Sequence, residues 1–112
     1  MTDVDLEGEA GVFRALADST RRQILEELRS GELTAGDISG RFPISGPSIS
    51  RHLGVLKAAG LVRERRAANR IYYSLVEERL ALSIGRFLSA ICPEQIVVRQ
   101  LQRRTTKNKD AG

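Results

Sequence analysis

The segment Ile44-Ser45-Gly46-Pro47-Ser48-Ile49-Ser50-Arg51-His52-Leu53-Gly54-Val55-Leu56-Lys57 constrains this chain more than any other. Ile49, Leu53 and Leu56 recur at i, i+4 and i+7, so a helix through them buries one side. On the opposite side fall Pro47, Ser50, Arg51 and Gly54, small residues that permit close approach together with one long cation. Ser45 is suited to cap this helix, and Pro47 is tolerated because the first turn needs no N–H from it. A helix anchored on one side and small, polar and basic on the other is shaped to press against a large grooved polyanion. Double-stranded DNA is the leading candidate.

At 112 residues the chain suits one domain with a real core, and its 41% hydrophobic and 29% charged content places it among soluble globular proteins. With no tryptophan and only five other aromatics, stacking on unpaired bases is not expected as the main binding mode. No apolar run approaches the roughly 18 residues that span a bilayer, so no membrane partner is expected. The start, Met1-Thr2-Asp3-Val4-Asp5-Leu6-Glu7, is acidic, unlike the basic opening of a secretory signal. One cysteine, Cys92, cannot form an intrachain disulfide; it follows an apolar stripe and is expected to be a buried, inert thiol. A cytoplasmic location follows as the expectation.

The net charge of +4 is unevenly spread. Residues 1–11 carry four acids and no base, whereas residues 41–70 carry seven bases against Glu64. That asymmetry points to one basic surface facing phosphate.

Along the chain, Leu6–Ala17 has a helical pattern with Val12, Phe13 and Leu16 as its apolar positions. Asp18 then caps Ser19–Arg29, which buries Ile24, Leu25 and Leu28 and stops at Gly31. Thr34-Ala35-Gly36-Asp37 has capping-box character and opens a third helix reaching about Phe42, with Ile38 and Phe42 buried and Pro43 as the stop. Helix, tight turn and second helix with an exposed polar start make a helix-turn-helix. After Ala59-Gly60, Leu61–Arg66 and Arg70–Val76 read as a β-hairpin, or wing, with its tip near Ala68-Asn69 and Ile71, Tyr73 and Leu75 on one face. From Glu77 to Ile91 the helical period returns, with Leu80, Ile84, Phe87, Leu88 and Ile91 as a sustained stripe. Pro93 interrupts it, Pro93–Arg103 suits one short helix, and Thr105–Gly112 is expected to be disordered.

The expected fold is therefore mainly α with a small β-hairpin (α+β), a winged helix-turn-helix in the order helix, helix, helix, helix, strand, strand, helix. Residues 1–92 would form the DNA-binding and dimerisation domain, and 93–112 a short helix with a basic tail.

Three phrases, in order, resemble the ArsR/SmtB family of bacterial winged-helix repressors. They are Phe13-Arg14-Ala15-Leu16-Ala17-Asp18-Ser19-Thr20-Arg21-Arg22-Gln23-Ile24-Leu25, then Ser48 through Val62, and then Ile71-Tyr72-Tyr73-Ser74-Leu75. Together with Thr34-Ala35-Gly36-Asp37-Ile38 they look most like the SdpR-type branch, which lacks the metal site. The resemblance implies a repressor that is a homodimer, joined through its first and fifth helices, with two recognition helices in successive major grooves. The sequence offers Val12, Phe13, Leu16, Leu80, Ile84, Phe87, Leu88 and Ile91 for that interface, although both patches would also serve packing within one subunit. Two-fold symmetry implies a near-palindromic operator with half-sites about 34 Å apart.

The family's metal sensors carry Glu-Leu-Cys-Val-Cys-Asp where this chain reads Glu32-Leu33-Thr34-Ala35-Gly36-Asp37, and Glu77–Ile91 contains no histidine. With one Cys92 and one His52, no closed soft-metal site is expected within a subunit, and no cofactor. The expected DNA-binding residues are Ser45, Pro47, Ser48, Ser50, Arg51, His52 and Lys57 on the recognition helix 45–59, and Arg65, Arg66, Asn69 and Arg70 on the wing 62–75. Arg41 and the first-turn residues Thr20 and Arg21 are further candidates for backbone contact. No nucleophile pair, phosphate-cradling glycine loop or metal cluster suggests an enzyme. A repressor of the same fold that answers to an organic ligand or to redox state, and a winged-helix protein–protein adaptor, stay open as alternatives.

Overall fold

The computed structural model describes residues 6–111, with side chains described for 8–93 and 95–103. Asp3, Asp5 and the side chain of Glu7, most of the acidic start, lie outside the described residues, as do the side chains of Lys107 and Lys109 in the basic tail. The chain separates into two units, residues 1–80 and 81–112, whereas the change of character in the sequence falls at 92.

In the first unit, side-chain caps set where the helices begin. Helix α1 (Leu6–Leu16) is followed by Asp18, whose extended backbone and carboxylate open α2 (Ser19–Glu27) by accepting from the Arg21 N–H at 3.1 Å. That hydrogen bond holds the Asp18 carboxyl below its ordinary value of 3.8. A 3₁₀ turn, Leu28–Ser30, ends in Gly31 at φ 143, a backbone conformation that an L side chain rarely adopts.

Strand β1 (Leu33–Thr34) leads into α3 (Ala35–Ser39) through a complete capping box. The Thr34 hydroxyl accepts from the Asp37 N–H at 3.0 Å, and the Asp37 carboxylate accepts from the Thr34 N–H at 3.1 Å. The latter bond, largest among its causes, lowers the Asp37 pKa from 3.8. Its contribution to stability is fully present above that value and is lost as pH falls below it, when the carboxyl protonates. Helix α3 stops short of the expected Phe42, because Gly40 caps its end; Phe42 still packs half-buried against the core.

Helix α4 (Gly46–Ala58) begins at the expected cap, Ser45, whose Oγ accepts from the Ser48 N–H at 3.2 Å. Ile49, Leu53 and Leu56 are at most 1% exposed and join Val12, Ala15, Ile24, Leu28, Ile38 and Leu61 in one core. The helix ends in a Schellman motif: Gly60 at φ 77 donates to the Lys57 carbonyl and Leu61 N–H to the Leu56 carbonyl, both at 2.9 Å.

Strands β2 (Val62–Ala67) and β3 (Arg70–Leu75) form the wing, in a register running from Val62 opposite Leu75 to Ala67 opposite Arg70. The sheet has three antiparallel strands in the order β1-β3-β2, one more than the hairpin expected from the sequence. Leu33 pairs with Tyr73 and Thr34 with Tyr72; two residues are too few to show the alternation that reveals a strand. At the tip Ala68 has φ 54, a left-handed backbone conformation that favours glycine. Ala68→Gly is therefore expected to raise thermal stability by about 1 kcal/mol, read from denaturation midpoints.

Helix α5 (Glu77–Ile91) starts in the first unit, where Leu80 packs against the core, and continues into the second. In the second unit Phe87 and Ile91 are exposed, Ile84 and Leu88 are half-buried, and Cys92 is half-buried rather than enclosed. Helix α6 runs Glu94–Ala111, replacing the expected short helix and disordered tail. Its Glu, Gln, Arg and Lys residues favour helix intrinsically, and no glycine or proline interrupts it. Among the residues expected at a subunit interface, Val12 is corrected: it is fully enclosed in its own core and has no surface to offer. Phe13 stays exposed on α1, while Leu16 and Leu80 are partly used by the core.

Candidate nucleic-acid interface

Burial of Ile49, Leu53 and Leu56 fixes which way α4 faces. Pro47, Ser50, Arg51 and Gly54 all lie on its exposed side, as the spacing requires. Ser45 and Ser48 are joined at the helix start, the Ser45 hydroxyl donating to Ser48 Oγ at 3.0 Å. Ser45 therefore serves the helix as its cap, and Ser48 keeps its own O–H free to donate.

The pleat of the wing divides its arginines between two faces. Val62, Glu64 and Arg66 share the face of Leu75 and Tyr73, which pack on the core; Arg63 and Arg65 share the other. Glu64 holds Lys57 of α4 through Nζ at 3.0 Å and approaches the Tyr73 hydroxyl at 3.4 Å and Arg66 Nε at 4.0 Å. The Lys57 hydrogen bond is the chief cause that lowers the Glu64 pKa, and burial, then Glu64, raises that of Tyr73. Arg65 is clasped to Glu32 by two hydrogen bonds, 3.0 Å from Nε and 2.8 Å from Nη2, and its guanidinium lies 4.6 Å over the Tyr72 ring. Arg66, Asn69 and Arg70 are exposed toward the tip. Arg63, absent from the sequence-based set, is also exposed and has no ion pair among the described residues; simple alternation with Arg65 would have found it.

His52 is turned inward along α4. Its Nδ1 lies 3.4 Å from Arg21 Nη1 and 4.0 Å from Asp18 Oδ1, and only 20% of its side chain is exposed. Arg21 is itself spent on the end of α1, donating to the Ala15 carbonyl at 2.6 Å and the Arg14 carbonyl at 3.0 Å. Arg22 donates to the Leu16 carbonyl at 2.7 Å. Two arginines thus satisfy carbonyls that the end of a helix leaves open, at its negative pole. Arg41 is paired with Glu27.

The sequence model of bacterial regulatory proteins of the arsR family matches residues 18–64, which span the second helix through the first half of the wing. Over 80 residues the chain is 49% identical to the transcriptional repressor SdpR of Bacillus subtilis (strain 168), covering 71% of this chain and 89% of that one. The chain belongs to the ArsR family.

Solved structures of ArsR-type proteins share its fold. An ArsR-like transcriptional regulator from Rhodococcus sp. RHA1 superimposes with a TM-score of 0.67 at 30% identity, covering 95% of this chain and 93% of that one. The homodimeric winged helix-turn-helix DNA-binding domain Mb0332 from Mycobacterium bovis, solved by NMR, gives 0.66 at 32% identity over 80% of this chain and 87% of that one. These relatives are transcriptional regulators, not enzymes. At the position of the family's metal box, this ArsR-family chain uses the Thr34 hydroxyl and the Asp37 carboxylate to cap α3.

The Glu64–Lys57 pair sits where α4 meets the wing and holds the Lys57 ammonium on the protein's own carboxylate. Glu64→Gln is expected to strengthen binding to random duplex at low salt and to steepen the salt dependence by about one unit of slope, measured by anisotropy titrations.

Proposed function

We propose that this ArsR-family regulator is a homodimeric, metal-independent repressor that occupies a near-palindromic operator. The observation that carries this reading is the exposed face of α4, where Pro47, Ser50, Arg51 and Gly54 stand over a fully buried Ile49-Leu53-Leu56 anchor. Small residues let the helix approach a groove closely, and Arg51 supplies the fork that recognises guanine O6 and N7. Repression is supported by the likeness to a transcriptional repressor, and pairing by the likeness to a homodimeric domain. Phe13 on α1 and Leu82, Phe87 and Ile91 on α5 are exposed apolar residues suited to a second copy. Metal independence is supported by the cap that occupies Thr34 and Asp37.

Contacts on the DNA divide by role. Ser48, Ser50 and Arg51 read base edges, and Arg66, Asn69 and Arg70 at the wing meet phosphates or the adjacent minor groove, with Arg63 beside them. Lys57 joins the phosphate contacts when it leaves Glu64. Arg65 and His52, both held by other residues of the protein, position the wing and the recognition helix instead.

The test is a titration of operator and random duplex at several salt concentrations. Arg66→Ala should weaken binding to both alike and lower the salt slope by about one. A loss confined to the operator, with unchanged slope, would remove Arg66 from the phosphate contacts.

A further inference from the structure

Beside the C-terminal end of the recognition helix, on the flank that continues its exposed face, α1, α4 and the first turn of α5 line an open cleft of about 530 Å³. That volume lies within the range of small-molecule sites. Arg14, Arg21 and Arg79 line it, and among the described residues no acidic one does. Arg21 is spent on the carbonyls that end α1, but Arg14 and Arg79 have no ion pair among the described residues. Arg79 Nε is also buried and has no hydrogen-bond acceptor among the described residues. Its stem lies against Gly60, where a Cβ would be 3.5 Å from Nε, an ordinary packing distance. A buried N–H without a partner is costly to keep, and a guanidinium edge is built to take a carboxylate with two parallel hydrogen bonds. The remaining wall is apolar and small, with Ala15 on α1 and Val55, Ala58 and Ala59 at the end of α4.

From this geometry we infer that the cleft binds a small organic carboxylate, its charge on Arg79 and Arg14 and its apolar body against Val55, Ala58 and Ala59. The ligand touches the C-terminal end of the recognition helix, and Arg21, which shares the cleft, is the residue that meets His52 on that helix. Occupancy therefore alters how α4 is held and, with it, DNA affinity. The apolar wall distinguishes this ligand from an inorganic oxyanion.

The experiment uses the full chain without DNA, so its outcome does not depend on the DNA-binding reading. Benzoate is titrated while the arginine Nε–H and backbone amide signals are followed by NMR, with sulfate at equal ionic strength in a parallel arm. The expected result is a saturable shift of the Arg79 and Arg14 Nε–H signals and of the Val55, Ala58 and Ala59 amides. Arg79→Lys, which keeps the charge and loses the fork, should weaken binding at least tenfold. Arg14→Gln, at an exposed position where folding is not at stake, should weaken it severalfold. Equal responses to sulfate and benzoate would mean an adventitious ion only and would overturn the inference. So would shifts that stay linear and spread over all arginines, or affinity unchanged in both variants.

Discussion

Arg51→Ala should cost the protein about 1–3 kcal/mol of discrimination between its operator and random duplex, with little change in binding to random DNA. Arg51 sits on the exposed side of α4, one turn from the exposed Pro47 and beside Ser50, and no residue of the protein pairs with it among those described. Its fork is thus available to a base edge, unlike that of Arg65, which Glu32 and Tyr72 hold. Lysine at 51 would keep the charge and lose the bidentate geometry, so Arg51→Lys should fall with alanine in specificity and with wild type in salt slope. Competition titrations against both duplexes check this. Equal losses on the two would place Arg51 among the phosphate contacts.

The second large effect is on stability. Leu53→Ala should destabilise the domain by about 2–5 kcal/mol, a large share of the total for a domain of this size. Leu53 is 1% exposed and lies at the centre of the anchor that orients α4, between Ile49 and Leu56. Ser50→Ala, on the opposite face of the same helix, should change stability by no more than about 0.5 kcal/mol. Denaturant unfolding of the two variants tests whether α4 is held by one side only. A small effect at Leu53 would show that the helix is anchored elsewhere, and the assignment of its DNA-facing side would fall with it.

Much of this arrangement is legible because the signals are local. Ser45, Asp18 and the Thr34/Asp37 box cap helices within three residues of themselves, and the i, i+4, i+7 spacing names the buried side of α4 without reference to any other element. The hairpin is visible because its two strands lie next to each other in the chain. Strand β1 is not, since its two residues acquire their state only by pairing with Tyr72 and Tyr73 about forty positions later. The arginines show the same limit. Composition reveals a basic wing, but which cations stay free depends on register and on partners distant in sequence. Glu32 lies thirty-three residues before Arg65, and the Arg21 that contacts His52 lies thirty-one before it. Val12 fell on an apparent interface pattern because a core-facing and an outward-facing apolar residue are neighbours on α1, and spacing alone does not say which covers the other.

The central claim is tested most directly by selecting genomic fragments on the purified full-length protein at low ionic strength and footprinting those retained. The expected result is one inverted repeat, protected by a dimer, with half-site centres about 34 Å apart and loss of the repeat's selectivity in Arg51→Ala. A monomer that retains no fragment above background, or a protected site without two-fold symmetry, would contradict it.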